Sequence, residues 1–429
     1  MRKNYRFSVL SLFALCAIAA AQVGSGMDMG VGGRALSFAG NHTAVANDLS
    51  AAYWNPAALA FLPVREFQLS FDGMRTYGIC DVTGGAVTVP AGARMSDYKE
   101  RMRLSGAGAM TAIPTVQGGL TLAAAYERPF AFDDFSVYSY RVGTTRADTT
   151  RADENVVRIG DLNRWSGAFG VQIAPKIAAG LTVSMVTGSE ETIYDQKRNG
   201  EPYNEETQEH GYLGYALSGG LFYLPADYLK LGFRVNATMD LSVRETRTIK
   251  WNNGEDWRDN YDRGAPFKSK GRAYKAPNGA FGAGLVLPWL TTALDIRFTM
   301  PYTFVLPAED IPGDIQARYF KVGAGIGFEA PLPMAPVVLR AGYSYDECDL
   351  YPVVHKFDYD EIDWDQGRGF AVDRNKHTLA AGIGVFTSGV GFELSYGYQT
   401  WGISHDDGER VLKQIYDNHR MAAAIIFRY

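Results

Sequence analysis

The side chains best able to do chemistry do not converge in this sequence. Its six histidines form no ligand cluster, and no Gly-x-Ser-x-Gly elbow or paired-cysteine motif offers an activated nucleophile. Asp358, Asp360, Glu361, Asp363 and Asp365 could offer oxygen ligands to Ca²⁺, but their spacing departs from the EF-hand pattern, and a solvated acidic loop explains them as well. Gly323-Ala324-Gly325-Ile326-Gly327 has the look of a phosphate loop. It lies within a strand pattern with no helix after it, so close packing is the role it predicts. The sequence calls for no metal, no cofactor and no enzymatic activity.

The informative charges are those interleaved with apolar residues at a period of two. From Leu229 to Leu241 the odd positions are apolar, while Lys230, Arg234 and Asp240 fall on the even ones. Asp295 and Arg297, Arg340, and Glu393 repeat the pattern at Leu294–Phe298, Leu339–Tyr345 and Phe392–Tyr398. Alternation of this kind is the signature of a strand with two different faces. A Lys or Arg on a lipid face at mid-bilayer costs about 2–4 kcal/mol. If these strands cross a membrane, Lys230, Arg234, Asp240, Asp295, Arg297, Arg340 and Glu393 must therefore point into a lumen.

Arg2, Lys3 and Arg6, the apolar run Phe7–Ala20 and the small residues Ala19-Ala20-Ala21 read as a secretory signal peptide, residues 1–21. Without it the chain carries 39 basic and 47 acidic residues, a net charge of −8, which argues against a nucleic-acid partner. Cys80 and Cys348 remain; they could pair in an oxidising compartment or stay as unpaired loop residues. No later apolar run is long enough for a membrane helix. The 47 Gly, 25 Tyr and 23 Phe suit closely spaced strands and a lipid–water boundary.

Fourteen strands are predicted, at about 64–73, 101–113, 119–128, 163–174, 180–190, 212–223, 228–241, 279–288, 291–302, 316–329, 336–346, 375–386, 389–400 and 418–429. The connections alternate strictly between short and long, with predicted long loops including 129–162, 191–211 and 401–417. An even strand count with loops sorted by length is the pattern of a transmembrane barrel. Met421, Ala423, Ile425, Phe427 and Tyr429 share one face of the last strand, an ending that resembles the signal read by the barrel-assembly machinery.

One apolar stretch, Gly30–Pro63, stands outside this pattern. Asn55 is a natural helix cap and Pro56 is tolerated at the first helical position, so Asn55-Pro56-Ala57 predicts a short helix through Phe61 that stops before Pro63. Gly32–Gly40, Ala44–Asp48 and Ala51–Ala57 resemble the N-terminal hatch of the FadL/TodX family of outer-membrane transporters, and more closely its PorV-like relatives.

The resemblance implies an all-β, 14-stranded antiparallel transmembrane barrel at residues 64–429, with a small hatch, residues 22–63, inside the lumen. It implies a Gram-negative-type outer-membrane location, lipid around the barrel and a hydrophobic small-molecule ligand such as a long-chain fatty acid. In the transporters a kink in the third strand opens a lateral exit. The matching residues here are Pro129 and Phe130, where Ala131 replaces the family's Gly; Pro129 could equally end the strand. Phe130, Phe132, Phe135 and Tyr138 are candidates for the ligand's entrance. The alternative function is PorV-like, a barrel that holds secreted cargo or secretion-system proteins.

Overall fold

The computed structural model describes residues 30–84, 93–99, 102–116, 118–132, 134–142, 150–237, 239–251, 267–300, 302–304, 315–317, 320–347, 354–357, 370–406 and 410–429. The signal peptide, Cys348 and the acidic run 358–365 lie outside these residues. Four strands open the wall: β1 (Glu66–Gly84), β2 (Arg103–Ile113), β3 (Leu120–Ala131) and β4 (Thr150–Ala174). Then come β5 (Ile177–Arg198) and β6 (Glu201–Ala226). Two strands are each built in two pieces, β7 (Leu229–Asn236 and Met239–Trp251) and β8 (Phe267–Lys275 and Asn278–Leu287). The wall ends with β9 (Leu290–Thr299), β10 (Lys321–Pro331), β11 (Val337–Asp346), β12 (Phe370–Phe386), β13 (Val390–Asp406) and β14 (Arg410–Arg428).

Each strand pairs antiparallel with its successor. β14 returns to β1 along its whole length, from Glu66↔Arg428 to Gly84↔Arg410. Fourteen strands close into a barrel with no free edge. Each of the fourteen predicted segments overlaps one of these strands, although 316–329 begins before β10 and its residues 318–319 lie outside the described set.

Several strands run further than their apolar alternation does. The predicted loop 191–211 is instead a continuous hairpin of β5 and β6, turned at Asn199 and Gly200, both at positive φ (49° and 86°). Asn-Gly in this conformation is a strong two-residue hairpin signal. The flanking segment is polar, so it lacks the hydrophobic period that marks the lower strands. Much of 401–417 likewise continues β13 and β14.

The outer face is apolar over a broad band. Leu213, Leu217 and Leu221 of β6, Leu294 and Ile296 of β9, and Phe392, Leu394 and Tyr396 of β13 are all exposed. A water-soluble surface does not carry a continuous apolar belt of this extent. Toward the loop end the belt gives way to paired aromatics: Tyr343 Oη lies 2.9 Å from His377 Nδ1, and Tyr396 Oη 2.6 Å from His419 Nδ1. Rings with a polar tip suit a hydrocarbon–headgroup boundary. Among the described residues no helix is long and apolar enough to cross a membrane.

The N-terminal segment fills the lumen. It holds two short helices, α1 (Gly33–Ser37) and α2 (Ala51–Trp54), then a 3₁₀ turn, Pro56–Phe61. Asn55 caps that turn as its position predicts, its side-chain oxygen accepting from Ala57 N–H; the turn is 3₁₀ and includes Pro56. Val31, Leu36, Phe38, Leu49, Tyr53, Trp54 and Leu59 are all buried. The barrel accommodates them with inward glycines. A Cβ on Gly325 would lie 2.2 Å from Asn41 Oδ1, and one on Gly327 2.1 Å from Phe38 Cδ1. The glycine run of β10 is thus a socket for the hatch.

A Gly327→Val barrel is expected to keep its folded mobility on an unheated gel but to expose the hatch, so that chymotrypsin cuts at Phe38 or Trp54. The wild-type hatch should resist under the same conditions, and a resistant Gly327→Val hatch would contradict the socket.

Candidate functional site

The hatch is held by charged residues of the inner wall. Arg34 is one of only two formally charged residues between Gly30 and Pro63, the other being Asp48. Its Nε lies 2.7 Å from Glu329 Oε2 and its Nη2 3.1 Å from Oε1, a two-point contact with β10. Its backbone N–H donates to Glu393 Oε2 on β13 at 3.0 Å. Arg340 of β11 bridges the same two carboxylates, at 2.8 Å to each. Two arginines and two glutamates thus form a neutral, buried square spanning hatch and wall. Burial this deep is tolerable only because each charge is paired.

Asp295 of β9 grips the next turn of the hatch. Its Oδ2 accepts from His42 N–H (2.9 Å), Thr43 N–H (3.0 Å) and Thr43 Oγ1 (2.8 Å). Arg297, two residues on, donates to Asn41 Oδ1 at 2.8 Å and pairs with Asp346 at 2.7 Å. Arg234 of β7 donates to the Tyr53 carbonyl at 3.3 Å, with its guanidinium over the Tyr53 and Trp54 rings. Asn55 Nδ2 reaches the Thr43 and Leu221 carbonyls, tying the end of α2 to the hatch turn at Thr43 and to β6. Lys230 is half-buried on the inward face of β7.

Asp240 is placed differently. It lies on the outer face of β7, paired with Arg272 of β8 at 2.7 Å, while Met239, Leu241 and Val243 point inward. The strand breaks between Asn236 and Met239, which moves the inward set from even to odd positions. An odd-numbered slip in a strand inverts both its faces. β8 breaks at the same level, between Lys275 and Asn278, and inverts too: Ala273 points inward above, Ala280 and Gly282 below.

A third inversion occurs in β3. Glu127 pairs with Arg164 and Phe130 with Leu162, so Arg128 and Pro129 together face the single residue Asn163. This is a β-bulge, and Pro129, which has no N–H to give the ladder, sits in it. Below the bulge Thr121, Ala123 and Glu127 point inward; above it Phe130 and Phe132 do. The side chains of Phe135 and Tyr138 lie outside the described set. Arg128 turns in as well, pairing with Asp72, which also holds Arg420, whose guanidinium reaches the Gly30 carbonyl.

The three inversions create an apolar chamber above a polar hatch seat. Phe130, Phe132, Leu162, Val186, Tyr212, Met239, Leu241 and Val243 pack together inside the wall. A cavity of about 40 Å³ separates them from Tyr53 of the hatch and reaches the wall beside the β7 break at Ala237. Two cations edge it. Lys275 Nζ lies 4.3 Å from the centre of the Phe130 ring, and Arg164 lies over Tyr53 with Nη2 on Ser184 Oγ at 2.9 Å. Among the described residues no trio of His, Cys, Asp or Glu is placed to hold a metal ion.

Closed wall, inserted hatch and bulged third strand together can be set against solved structures. A FadL homologue of Pseudomonas aeruginosa superposes with a TM-score of 0.63 at 12% identity, over 94% of this chain and 99% of that one. The chain has the FadL-type barrel fold. The toluene transporter TodX of Pseudomonas putida gives 0.58 at 15% identity (94% and 99% covered). The toluene transporter TbuX of Ralstonia pickettii gives 0.52 at 14% (92% and 98%). Comparison with protein-family models and with curated sequences returned no match. Of the residues that join hatch and wall, alternation in the sequence marks Arg234, Asp295, Arg297, Arg340 and Glu393, places Asp240 with them wrongly, and leaves out Arg34, Glu329 and the Asp72–Arg128–Arg420 cluster. The lone Arg34 in an apolar segment was the available signal.

Asp295→Ala removes three hydrogen bonds and orphans two buried N–H groups. At about 1.5–3 kcal/mol for a bond to a charged group, hatch docking should weaken by at least about 3 kcal/mol. Hydrogen exchange of the amides at 41–46 is expected to accelerate more than a hundredfold, and unchanged protection would contradict the assignment.

Proposed function

We propose that the chain is an outer-membrane channel for hydrophobic small molecules, long-chain fatty acids among them, and that its hatch moves to let them through. The apolar chamber directly above the hatch carries this reading. Such molecules cross a polar outer leaflet poorly and gain free energy in an apolar passage, at about 25 cal/mol per Å² buried. The neighbours in fold, a FadL homologue and two toluene transporters, support the same ligand class.

The charge at the chamber edge selects among such ligands. Phe130, Leu162, Val186 and Met239 would hold a hydrocarbon tail, and Arg164 with Lys275 would receive a carboxylate. The cavity, at about 40 Å³, is smaller than the roughly 150 Å³ of an engineered site that binds benzene. Passage therefore requires the hatch or the bulge to shift. For the lateral exit we propose the bulge at Pro129 and Phe130, shut while Arg128 remains paired with Asp72. The cargo-holding alternative shares the barrel but gives this internal chamber no role.

Cells lacking the protein and any functional paralogue are expected to lose uptake of a labelled long-chain fatty acid. Restoring Arg164→Met should recover toluene uptake fully but fatty-acid uptake only to about a tenth, the loss of one charge-assisted bond. Unchanged fatty-acid uptake in the deletion strain would overturn the function; equal recovery of both substrates would overturn the role of Arg164.

A further inference from the structure

One buried group takes no part in holding the hatch or lining the chamber. The backbone of His42 is bound by Asp295, but its imidazole is fully enclosed, and neither Nδ1 nor Nε2 has a hydrogen-bond partner. The ring sits edge-to-face against Phe38 at 5.9 Å and Trp54 at 6.1 Å, both hatch residues. Buried polar groups are normally paired, so an unpaired one asks for an explanation.

The surroundings accept the neutral ring and reject the charged one. Arg34 on α1 and Arg340 on β11 repel an imidazolium, whereas Asp48 of the hatch and Glu329 of β10 attract it. Asp48 accepts from Ser50 through Oδ1, Glu329 spends both oxygens on the two arginines, and neither carboxylate is hydrogen-bonded to the ring. Asp295 on β9 is engaged through Oδ2 by the backbone N–H groups of residues 42 and 43, and its buried Oδ1 makes no hydrogen bond to the ring.

We propose that His42 is an acid-operated release for the hatch, in which protonation of the imidazole drives the segment from its seat. In the docked state neither ring nitrogen meets an acceptor, so the added proton is left buried and unpaired there. It is stable only once the ring meets water. Burial, and next the charge on Arg34, hold the docked imidazole down at about 3, against an ordinary value of 6.5. The sign follows from this depression. Docking is unaffected above about pH 6.5, weakens as pH falls below it, and loses progressively more until the docked group itself titrates. Between pH 8 and pH 5 the released state gains about thirty-fold over the docked one, since only the released ring binds the proton.

The test is hydrogen exchange of the hatch amides, residues 31–61, in the purified full-length barrel at pH 8 and pH 5, corrected for intrinsic exchange. Between pH 8 and pH 5 wild-type hatch protection should fall about thirty-fold relative to the variants. His42→Phe keeps the ring contacts, His42→Gln stays neutral, and both retain the other carboxyls that hold the hatch, Glu66 on Leu49 N–H among them. The same pH dependence in the wild type and in either folded variant would overturn the proposal.

Discussion

A charge cannot face hydrocarbon at acceptable cost, and a charge turned inward cannot be left unpaired. Much of the lower half of this barrel follows from those two constraints. Period-two strands push Arg234, Asp295, Arg297, Arg340 and Glu393 into a lumen too crowded to hydrate them freely. The hatch supplies what they lack: a guanidinium for Glu329, N–H groups for Asp295, a carbonyl for Arg234. Removing one member of such a set typically costs about 3–5 kcal/mol, because its partners stay buried. Hatch and wall are one polar structure in which each is incomplete alone.

Above the hatch the rule is inverted by changes of register. The bulge in β3 and the breaks in β7 and β8 each shift a strand by an odd number of residues, so apolar side chains that would have met lipid turn inward. The barrel thereby sets an apolar layer between the polar hatch seat and the buried Arg158–Glu190 pair above it without changing its strand count. The Asp72 cluster ties the two regions together, since Arg128 belongs to the bulge and Arg420 touches the first hatch residues at Gly30.

This also explains how far the sequence could be read. Strands that separate lipid from lumen show a clean period of two, and all fourteen are legible. Beyond the apolar belt both faces of a strand meet water, the period fades, and the β5–β6 extension passes for a loop despite its Asn199-Gly200 turn. Asp240 was assigned to the lumen because the odd positions stay apolar from Leu229 to Leu241. The break between Asn236 and Met239 carries the inversion while leaving that pattern intact. The Gly323–Gly327 run was legible as packing, but its partner, the hatch residues Asn41 and Phe38, was not.

Whether the hatch is a moving gate is the point on which transport depends, and one engineered bond tests it. Ser37 on α1 and Ser395 on β13 have side-chain oxygens 2.8 Å apart, close enough for a cysteine pair to form a disulfide. In a background with Cys80 and Cys348 changed to serine, the Ser37→Cys/Ser395→Cys barrel should lose fatty-acid uptake when oxidised and regain it on reduction. Equal uptake in the two states, with the disulfide verified by mass spectrometry, would contradict a moving hatch.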